Sequence, residues 1–199
     1  MAGIAIIIIS FATHFFFDYN EDRKGGAIMN DWLLNKLPAE NVSMPITFIM
    51  LSVVFLFFIR TLVNPVFFVT SIIAYLLILA FRITTIAATH FQAPLELIDL
   101  NDPVSNAVYG SKHITRDLFF SGHVATICLV YLCSFKKWDR YYLLFAAFSV
   151  GLLLLVQHVH YTIDIICAPL FSFGCLWLSK KIIHLQYAMR RGHLTTMGL

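Results

Sequence analysis

The chain has 199 residues, of which 59% are hydrophobic and only 13% are charged. A soluble domain of this length cannot bury so much apolar surface, so the composition indicates an integral membrane protein. The formal net charge of +3 is too small to favour a nucleic acid as a partner.

The four cysteines all fall within apolar runs, and no two of them form a C-x-x-C pair. This distribution disfavours structural disulfides and thiolate zinc sites, and it is typical of small packing residues. The first apolar run has neither a basic segment before it nor a small-residue cleavage site, so we do not expect a cleavable signal peptide.

Six apolar segments follow one another along the chain, and each predicts a membrane-spanning helix, which takes ~20 residues. They cover residues 2–17, 45–63, 65–89, 118–135, 141–158 and 162–183. The second and third meet at the tight turn Asn64-Pro65, whereas around 158–162 a single re-entrant element would give a similar pattern. Because no repeat or linker divides the chain, the predicted fold class is an all-α integral membrane protein, a single domain over 1–199 with six transmembrane helices in a bundle.

The distribution of Lys and Arg predicts the orientation of these spans. With six spans, both termini share one side with the turns after the second and fourth, and eight of the fourteen basic residues lie there against one acid, Asp139. That side is therefore predicted to be cytoplasmic, and the loops 18–44 and 90–117 to face the exterior or a lumen. The eight basic residues are Arg60, Lys136, Lys137, Arg140, Lys180, Lys181, Arg190 and Arg191.

Four polar residues are predicted to lie together near the outer face. Consecutive spans run in opposite directions, so the end of the third, the start of the fourth, the end of the fifth and the start of the sixth share that face. An unpaired charge in apolar surroundings costs several kcal/mol and is rarely kept without a use. The sequence therefore predicts an active site at the non-cytoplasmic ends of spans three to six, which carry Arg82, His123, His160 and Asp164.

Two histidines and an aspartate supply the groups that phosphoryl transfer needs. His160 is the predicted nucleophile, and Asp164, four residues later on the same helical face, can accept the ring N–H and fix its tautomer. His123 is the predicted general acid for the leaving oxygen and general base for the incoming one. The prediction includes no metal and no cofactor.

A second set of residues is predicted to bind the phosphate or the rest of the substrate. Ser121 and Gly122 open a span, where exposed helix N–H groups favour a phosphate oxygen. Arg82 can supply a fixed cation. The set is completed by neighbours of the two histidine motifs, namely Arg116, Asp117 and Tyr161.

Less specific interpretations are left open by the residues alone. A lone intramembrane histidine is often a hydrogen-bonded packing residue, His158 can serve only to orient its neighbours, and Arg82 can extend to the interface without binding anything. Two imidazoles and a carboxylate, from His123, His160 and Asp164, are also a usual ligand set for zinc.

Three segments match the spacing of motifs known from one family of membrane enzymes. The segment 117–123 is similar to G-D-Y-L-F-S-G-H, and the segment 158–164 is similar to H-x-H-Y-T-x-D. A third pattern, R-x-x-T-x-x-x-T-x-x-x-x-P, is matched upstream by Arg82, Thr85, Thr89 and Pro94. Over roughly residues 81–178 the chain thus resembles the sphingomyelin synthase family, a branch of the type 2 phosphatidic acid phosphatase superfamily.

The resemblance implies a six-span fold and a metal-free triad of His123, His160 and Asp164. It also implies transfer of a phosphocholine or phosphoethanolamine headgroup from a glycerophospholipid to ceramide through a phosphohistidine. The partners implied are a membrane phospholipid and a lipid alcohol, and association into homo-oligomers is left open.

The chain departs from the family pattern at three points. Thr115-Arg116 replaces the Cys-Gly that precedes the aspartate, which alters the charge beside the site. The K-x-x-x-x-x-x-R-P phosphate clamp of superfamily phosphatases is absent, and Leu154 stands where they carry an arginine, which argues against a plain phosphatase. The long cytosolic N-terminal extension of animal synthases has no counterpart, so the acceptor is left open between ceramide and water.

The sequence therefore favours a membrane lipid phosphotransferase of the sphingomyelin synthase type. A lipid phosphatase or phospholipase C-like hydrolase that uses water with the same triad is the alternative enzyme. A non-catalytic lipid-binding membrane protein or scramblase, and a metal transporter, are the alternatives from other classes.

Overall fold

The computed structural model describes residues 16, 19–20, 25–89, 91–100, 115–116 and 118–196. Within these ranges the chain is helical, apart from connecting segments and one bridge between Ala27 and Phe91. The predicted first span, 2–17, lies outside the described residues except for Phe16. From residue 25 on, the described ranges contain a short 3-10 turn and then five helices, which are α1 (Ser43–Val63), α2 (Pro65–Thr89), α3 (Gly122–Cys133), α4 (Lys137–Val156) and α5 (Thr162–Thr196).

Four of the five described helices are long and apolar enough to cross a bilayer, namely α1, α2, α4 and the part of α5 up to Ala188. A multi-pass helical membrane protein, as predicted, is thus supported, although six spans are not seen. Helix α3 has only 12 residues, or about 18 Å at 1.5 Å per residue, against about 30 Å of hydrocarbon. It is shorter than the predicted span 118–135 because residues 118–121 leave the helix and bond to its neighbours.

The turn between α1 and α2 is as tight as the sequence predicts, since Asn64 alone connects the two helices. The Asn64 side-chain Oδ1 accepts the backbone N–H groups of Val66 at 3.0 Å and Phe67 at 3.1 Å. Pro65 is the first residue of α2, a position where its missing N–H has no helical partner to lose. The backbone N–H of Asn64 bonds in turn to the carbonyl of Arg60 at 3.0 Å, so one residue caps both helices.

Helices α4 and α5 are two separate elements, joined by residues 157–161. His158 has a φ of +55°, which lies in the left-handed region that a right-handed helix cannot continue through. The backbone N–H of Val159 then bonds back to the carbonyl of Leu154 at 3.1 Å and closes the end of α4. Both helices are long and apolar enough to span a bilayer, so a single re-entrant element is not what the chain forms here.

Helix α3 occupies the middle of the bundle and packs against α2, α4 and α5. Two buried serines of α5 tie that helix to its neighbours. Ser172 Oγ donates to the carbonyl of Ala125 in α3 at 2.9 Å, and Ser179 Oγ donates to the carbonyl of Thr70 in α2 at 3.0 Å. These bonds fix the positions of α2, α3 and α5 along the bundle axis, and hence the positions of the residues at the end that carries the histidine motifs.

An ion pair fastens α1 to α4 at the basic end of the bundle. Arg60 Nη2 donates to Asp139 Oδ1 at 2.8 Å, and Arg60 Nε donates to Asp139 Oδ2 at 2.5 Å. Parallel bonds of this kind between a guanidinium and a carboxylate are among the stronger polar contacts in proteins. The pair lies beside the α1–α2 turn, at the end of the bundle away from the histidine motifs.

Two connecting segments, 25–42 and 91–100, are attached to the α4–α5 connection through Gln157, whose side chain is fully buried. Its Nε2 donates to the carbonyl of Asp99 at 3.0 Å, and its Oε1 accepts the backbone N–H of Val42 at 3.3 Å. The connection is therefore held by the segments that precede α1 and follow α2.

Candidate active site

His160 and Asp164 form a buried pair at the start of α5. The imidazole Nδ1 lies 3.3 Å from Asp164 Oδ2, and the two residues are 2% and 0% exposed. The same Oδ2 accepts the backbone N–H of Tyr161 at 3.0 Å. The carboxylate thus reaches back over the first turn of α5, as the acidic residue of a capping box does. A neutral His160 that donates its Nδ1–H to this carboxylate presents the lone pair of Nε2 for chemistry.

A main-chain hydrogen bond joins the two histidine motifs. The backbone N–H of Ser121 donates to the carbonyl of Asp164 at 3.1 Å, and both residues are buried. Within the part of the chain that the structure describes, Ser121 Oγ and Asp164 Oδ1 have no hydrogen-bond partner. Buried polar atoms are nearly always paired in protein interiors. Two unpaired oxygens on adjoining residues therefore indicate a place where a polar ligand can bind.

Arg82 points into the same region and is only 2% exposed, so its head does not extend to an open interface. Its Nε donates to the carbonyl of Phe120 at 3.1 Å. Its guanidinium lies against Gly122, where a Cβ atom would come within 2.8 Å of Arg82 Cζ. One turn along α2, Thr85 Oγ1 donates to the carbonyl of Phe119 at 2.9 Å. Helix α2 is thus attached at two points to the segment that leads into α3.

His123 is the second residue of α3 and is partly exposed. It directly follows Gly122, so its backbone lies in the helical turn against which the Arg82 guanidinium packs. The end of α2, the start of α3, the end of α4 and the start of α5 therefore meet, as the alternation of spans predicts. The catalytic roles of the side chains stay predictions.

The predicted binding set also includes Asp117, Tyr161 and Arg116. Asp117 lies outside the described residues. The Tyr161 hydroxyl is occupied by the loops, since it donates to the carbonyl of Gln92 at 3.0 Å and accepts the backbone N–H of Met29 at 3.2 Å. Arg116 Nη1 donates to the carbonyl of Gly25 at 3.2 Å. Both contacts hold connecting segments in place, and the predicted contacts of these two residues with substrate stay predictions.

His158 is buried and bridges the same two connecting segments. Its Nδ1 lies 3.1 Å from the carbonyl of Leu95, and its Nε2 lies 3.2 Å from the carbonyl of Leu37. The ring is thus engaged by main-chain atoms on both sides. This arrangement fits the interpretation that His158 orients its neighbours.

Sequence reasoning missed Asp31, which contacts the start of α5 from the segment before α1. Its Oδ2 accepts the backbone N–H of Thr162 at 2.6 Å, and its Oδ1 accepts the Thr162 hydroxyl at 2.9 Å. Burial acts to raise the pKa of the Asp31 carboxyl, but hydrogen bonds from Thr162, Leu34 and Leu33 outweigh burial and hold that pKa below its usual value. The short spacing to Leu33 and Leu34 could have suggested a local cap, whereas nothing local signals the contact with Thr162.

An apolar groove of about 400 Å³ lies between α2 and α5, below the candidate site. Phe171, which lines the groove, stacks on Phe120 with ring centroids 4.2 Å apart and planes 10° apart. A Cβ atom added at Gly174 would meet nothing within 4 Å. The groove is lined by Phe81, Leu170, Phe171, Gly174, Cys175, Trp177 and Leu178.

The zinc interpretation gains no support from the described side chains, among which no three His, Cys, Asp or Glu residues are grouped so that they could hold a metal ion. The pair formed by His160 and Asp164 instead has the geometry of an imidazole oriented by a carboxylate.

Residues 116–181 match the family model described as PAP2 superfamily C-terminal. The matched range contains both histidine motifs but not Arg82 or Asp31, and it supports the PAP2 (type 2 phosphatidic acid phosphatase) superfamily. Members of that superfamily are phosphoesterases that act on lipid phosphates, which favours an activity of the lipid phosphatase or phosphotransferase type. The match does not identify the sphingomyelin synthase branch. No curated protein and no solved structure matches the chain.

Proposed function

We propose that the protein is a membrane lipid phosphotransferase. It moves a phosphocholine or phosphoethanolamine headgroup from a glycerophospholipid to a lipid alcohol such as ceramide, on the outer or luminal face of its membrane. The observation that carries this proposal is the hydrogen bond between Ser121 and Asp164, because it joins the motif of one histidine to the motif of the other. The superfamily match over both motifs supports lipid phosphates as the substrate class.

In the first half-reaction, His160 Nε2 attacks the phosphorus of the headgroup and the bond from phosphorus to the glycerol oxygen breaks. Protonated His123 gives its proton to that oxygen, so diacylglycerol leaves as a neutral alcohol. The headgroup phosphate is now bonded to Nε2, and the positive charge on the ring is stabilised by the Asp164 carboxylate at Nδ1.

In the second half-reaction, neutral His123 takes the proton of the ceramide hydroxyl as the hydroxyl oxygen attacks phosphorus. The bond from phosphorus to Nε2 breaks, which restores His160 and releases the new sphingophospholipid. The Arg82 guanidinium and the N–H groups at the start of α3 bind the non-bridging oxygens in both steps.

The apolar groove between α2 and α5 supports a lipid rather than a water-soluble phosphate ester. Its first residue on α5, Leu170, lies about 12 Å along the helix from Thr162, at 1.5 Å per residue. An acyl chain that descends from a phosphate at the outer end of the bundle reaches the groove over this distance.

The test is a lipid product analysis by mass spectrometry. Purified protein is reconstituted in vesicles of phosphatidylcholine and phosphatidylethanolamine that contain ceramide. We expect diacylglycerol and a sphingophospholipid in equal amounts. His160→Gln is expected to lower turnover more than about a thousandfold, because a covalent nucleophile has no substitute. His184→Gln, which changes an exposed residue on the far part of α5, is the matched control.

Failure to release diacylglycerol from any of these phospholipids would contradict the proposal. Free phosphocholine or free phosphate, in place of a new lipid, would identify the hydrolase that uses water, a reaction class that the superfamily match also favours. A non-catalytic lipid-binding protein would show no turnover and would bind lipid equally well after His123→Gln.

A further inference from the structure

We propose that Asp31 is a positioning residue for this reaction. It fixes the first turn of α5 and thereby holds the Asp164 carboxylate against the His160 imidazole. The inference rests on the proposed function, and it concerns a residue that precedes α1 and lies outside the matched range 116–181.

The carboxylate of Asp31 has donors on both oxygens. Oδ2 accepts the backbone N–H of Thr162 at 2.6 Å, and Oδ1 accepts the Thr162 hydroxyl at 2.9 Å. Oδ1 also accepts the backbone N–H groups of Leu33 at 3.0 Å and Leu34 at 3.2 Å. One buried side chain therefore joins a helical turn in the outer segment to the first residue of α5, 131 positions later.

The start of α5 needs such a partner because, of the backbone N–H groups there, Asp164 accepts only that of Tyr161, and no local side chain among the described residues accepts the Thr162 N–H. Tyr161 precedes the helix, and a tyrosine side chain cannot fold back to accept a hydrogen bond from the first N–H groups as Ser, Thr, Asp or Asn can. Asp31 supplies the missing acceptor from another part of the chain. Its negative charge at a helix N-terminus is also favoured by the helix dipole.

The fixed turn is the one that sets the geometry of the catalytic pair. Asp164 lies two residues after Thr162, and its Oδ2 bonds both to the Tyr161 N–H at 3.0 Å and to His160 Nδ1 at 3.3 Å. A shift of the first turn therefore changes the direction of the carboxylate relative to the imidazole. Asp31 touches neither His160 nor the substrate site, so it acts through Thr162 and Asp164.

Asp31 is itself held in place by contacts on its own side. Its bonds to Leu33 and Leu34 hold it to its own segment, and Tyr161 holds that segment through the backbone N–H of Met29 at 3.2 Å. The lowered pKa of the Asp31 carboxyl keeps it ionised, and so able to accept on both oxygens, throughout neutral and mildly acidic pH.

Asp31→Asn tests the inference directly. An asparagine has only one side-chain oxygen, so its NH₂ group must face either the Thr162 N–H or the donors now bound to Oδ1. We expect kcat to fall about 10- to 100-fold, because small misplacements of catalytic groups are costly, while KM stays within about twofold. Glu40→Gln, which removes the same charge from an exposed position of the same segment, is the matched control.

Thr162→Val is the second variant, and it serves if Asp31→Asn does not fold. It removes only the hydroxyl donor to Asp31, so we expect a severalfold fall in kcat with an unchanged KM, and recovery of kcat in Thr162→Ser. Hydrogen–deuterium exchange of the peptide that covers residues 158–166 should be faster in Asp31→Asn than in Glu40→Gln, since the start of α5 loses its cap.

Each outcome of these measurements has a definite meaning. If the wild-type protein transfers headgroups while Asp31→Asn and Thr162→Val keep its kcat, the inference on Asp31 is wrong and the proposed function stands. If kcat/KM falls in these variants only because KM rises, a positioning role is likewise contradicted. If the wild-type protein releases no headgroup from any phospholipid, the proposed function fails first, and the role of Asp31 fails with it.

Discussion

At the scale of single residues, the candidate site is distinguished by the close approach of a cation to a helix start. Arg82 Nε bonds to the carbonyl of Phe120, and the guanidinium packs against Gly122 with no room for a Cβ atom. In the proposed reaction, a phosphate that enters here would meet the positive charge of Arg82 and the N–H groups at the start of α3 together. The glycine is required because its hydrogen is the only substituent that lets the two approach.

Gly122→Ala should therefore lower headgroup transfer, by about tenfold or more, because the added methyl group displaces the guanidinium of Arg82. The measurement is the rate of diacylglycerol release in vesicles. Combining it with Arg82→Lys, whose slimmer head relieves the overlap, should give a loss smaller than the product of the two single losses. Thr84→Ala, on the exposed side of the same turn of α2, is the control. A fully additive double variant would contradict the packing argument.

The residues that the sequence could identify are those whose partners are local. His160 and Asp164 are four positions apart, so a helix alone makes their pairing predictable. The contact of Arg82 with Gly122 depends on how α2 packs on α3, although a glycine beside a histidine at a helix start hints at close approach. The contact of Asp31 with Thr162 spans 131 positions and has no local pattern to reveal it.

At the scale of elements, the lengths of α1 and α2 follow directly from hydropathy, and the observed bounds agree with the predicted segments within two residues. The start of α3 does not follow from hydropathy, because Leu118, Phe119 and Phe120 are as apolar as the helix that follows them. Their backbone is not helical, with Phe119 at a φ of +63°, and the carbonyls of Phe120 and Phe119 accept bonds from Arg82 and Thr85. Hydropathy reports burial, and burial here is achieved without a helix.

The groove between α2 and α5 makes a prediction about substrate chain length. Gly174→Phe should fill it, since the glycine faces open space. We expect the rate with long-chain phospholipids to fall several-fold relative to the rate with short-chain ones, because an acyl chain loses apolar contact worth ~0.8 kcal/mol per buried CH₂ group. Competition between lipids of two chain lengths in one vesicle measures this ratio.

Phe173→Ala is the control for the groove, because Phe173 is an exposed neighbour of Gly174 that does not line it. An unchanged ratio in Gly174→Phe would show that the acyl chain lies elsewhere. A loss that is equal for both chain lengths would point to a disturbed helix rather than to a filled groove.

At the scale of the whole molecule, the bundle has two chemically different ends. One end carries the histidine motifs and the connecting segments fastened by Asp31, Gln157 and His158. The other carries the α1–α2 turn and the ion pair of Arg60 with Asp139. The distribution of basic residues predicts that the second end is cytoplasmic, and this orientation decides which leaflet supplies the substrate.

Two exposed tryptophans allow the orientation to be measured. Trp32 lies in the segment before α1 and is 70% exposed, and Trp138 lies at the start of α4 and is 84% exposed. In right-side-out vesicles, Trp32→Cys should react with a membrane-impermeant maleimide, and Trp138→Cys should react only after permeabilisation. The native cysteines lie within helices, so the parent chain gives the background. The reverse labelling pattern would invert the orientation and move the site to the cytoplasmic leaflet.

The ion pair between Arg60 and Asp139 also bears on how the chain is made. The single-residue turn at Asn64 obliges α1 and α2 to enter the bilayer together as a helical hairpin, and Arg60 enters with them. Its partner belongs to α4 and is synthesised 79 residues later. During biosynthesis the Arg60 guanidinium must therefore remain at the headgroup region until α4 is made. Asp139 then neutralises its charge, so this ion pair forms late in the assembly of the bundle.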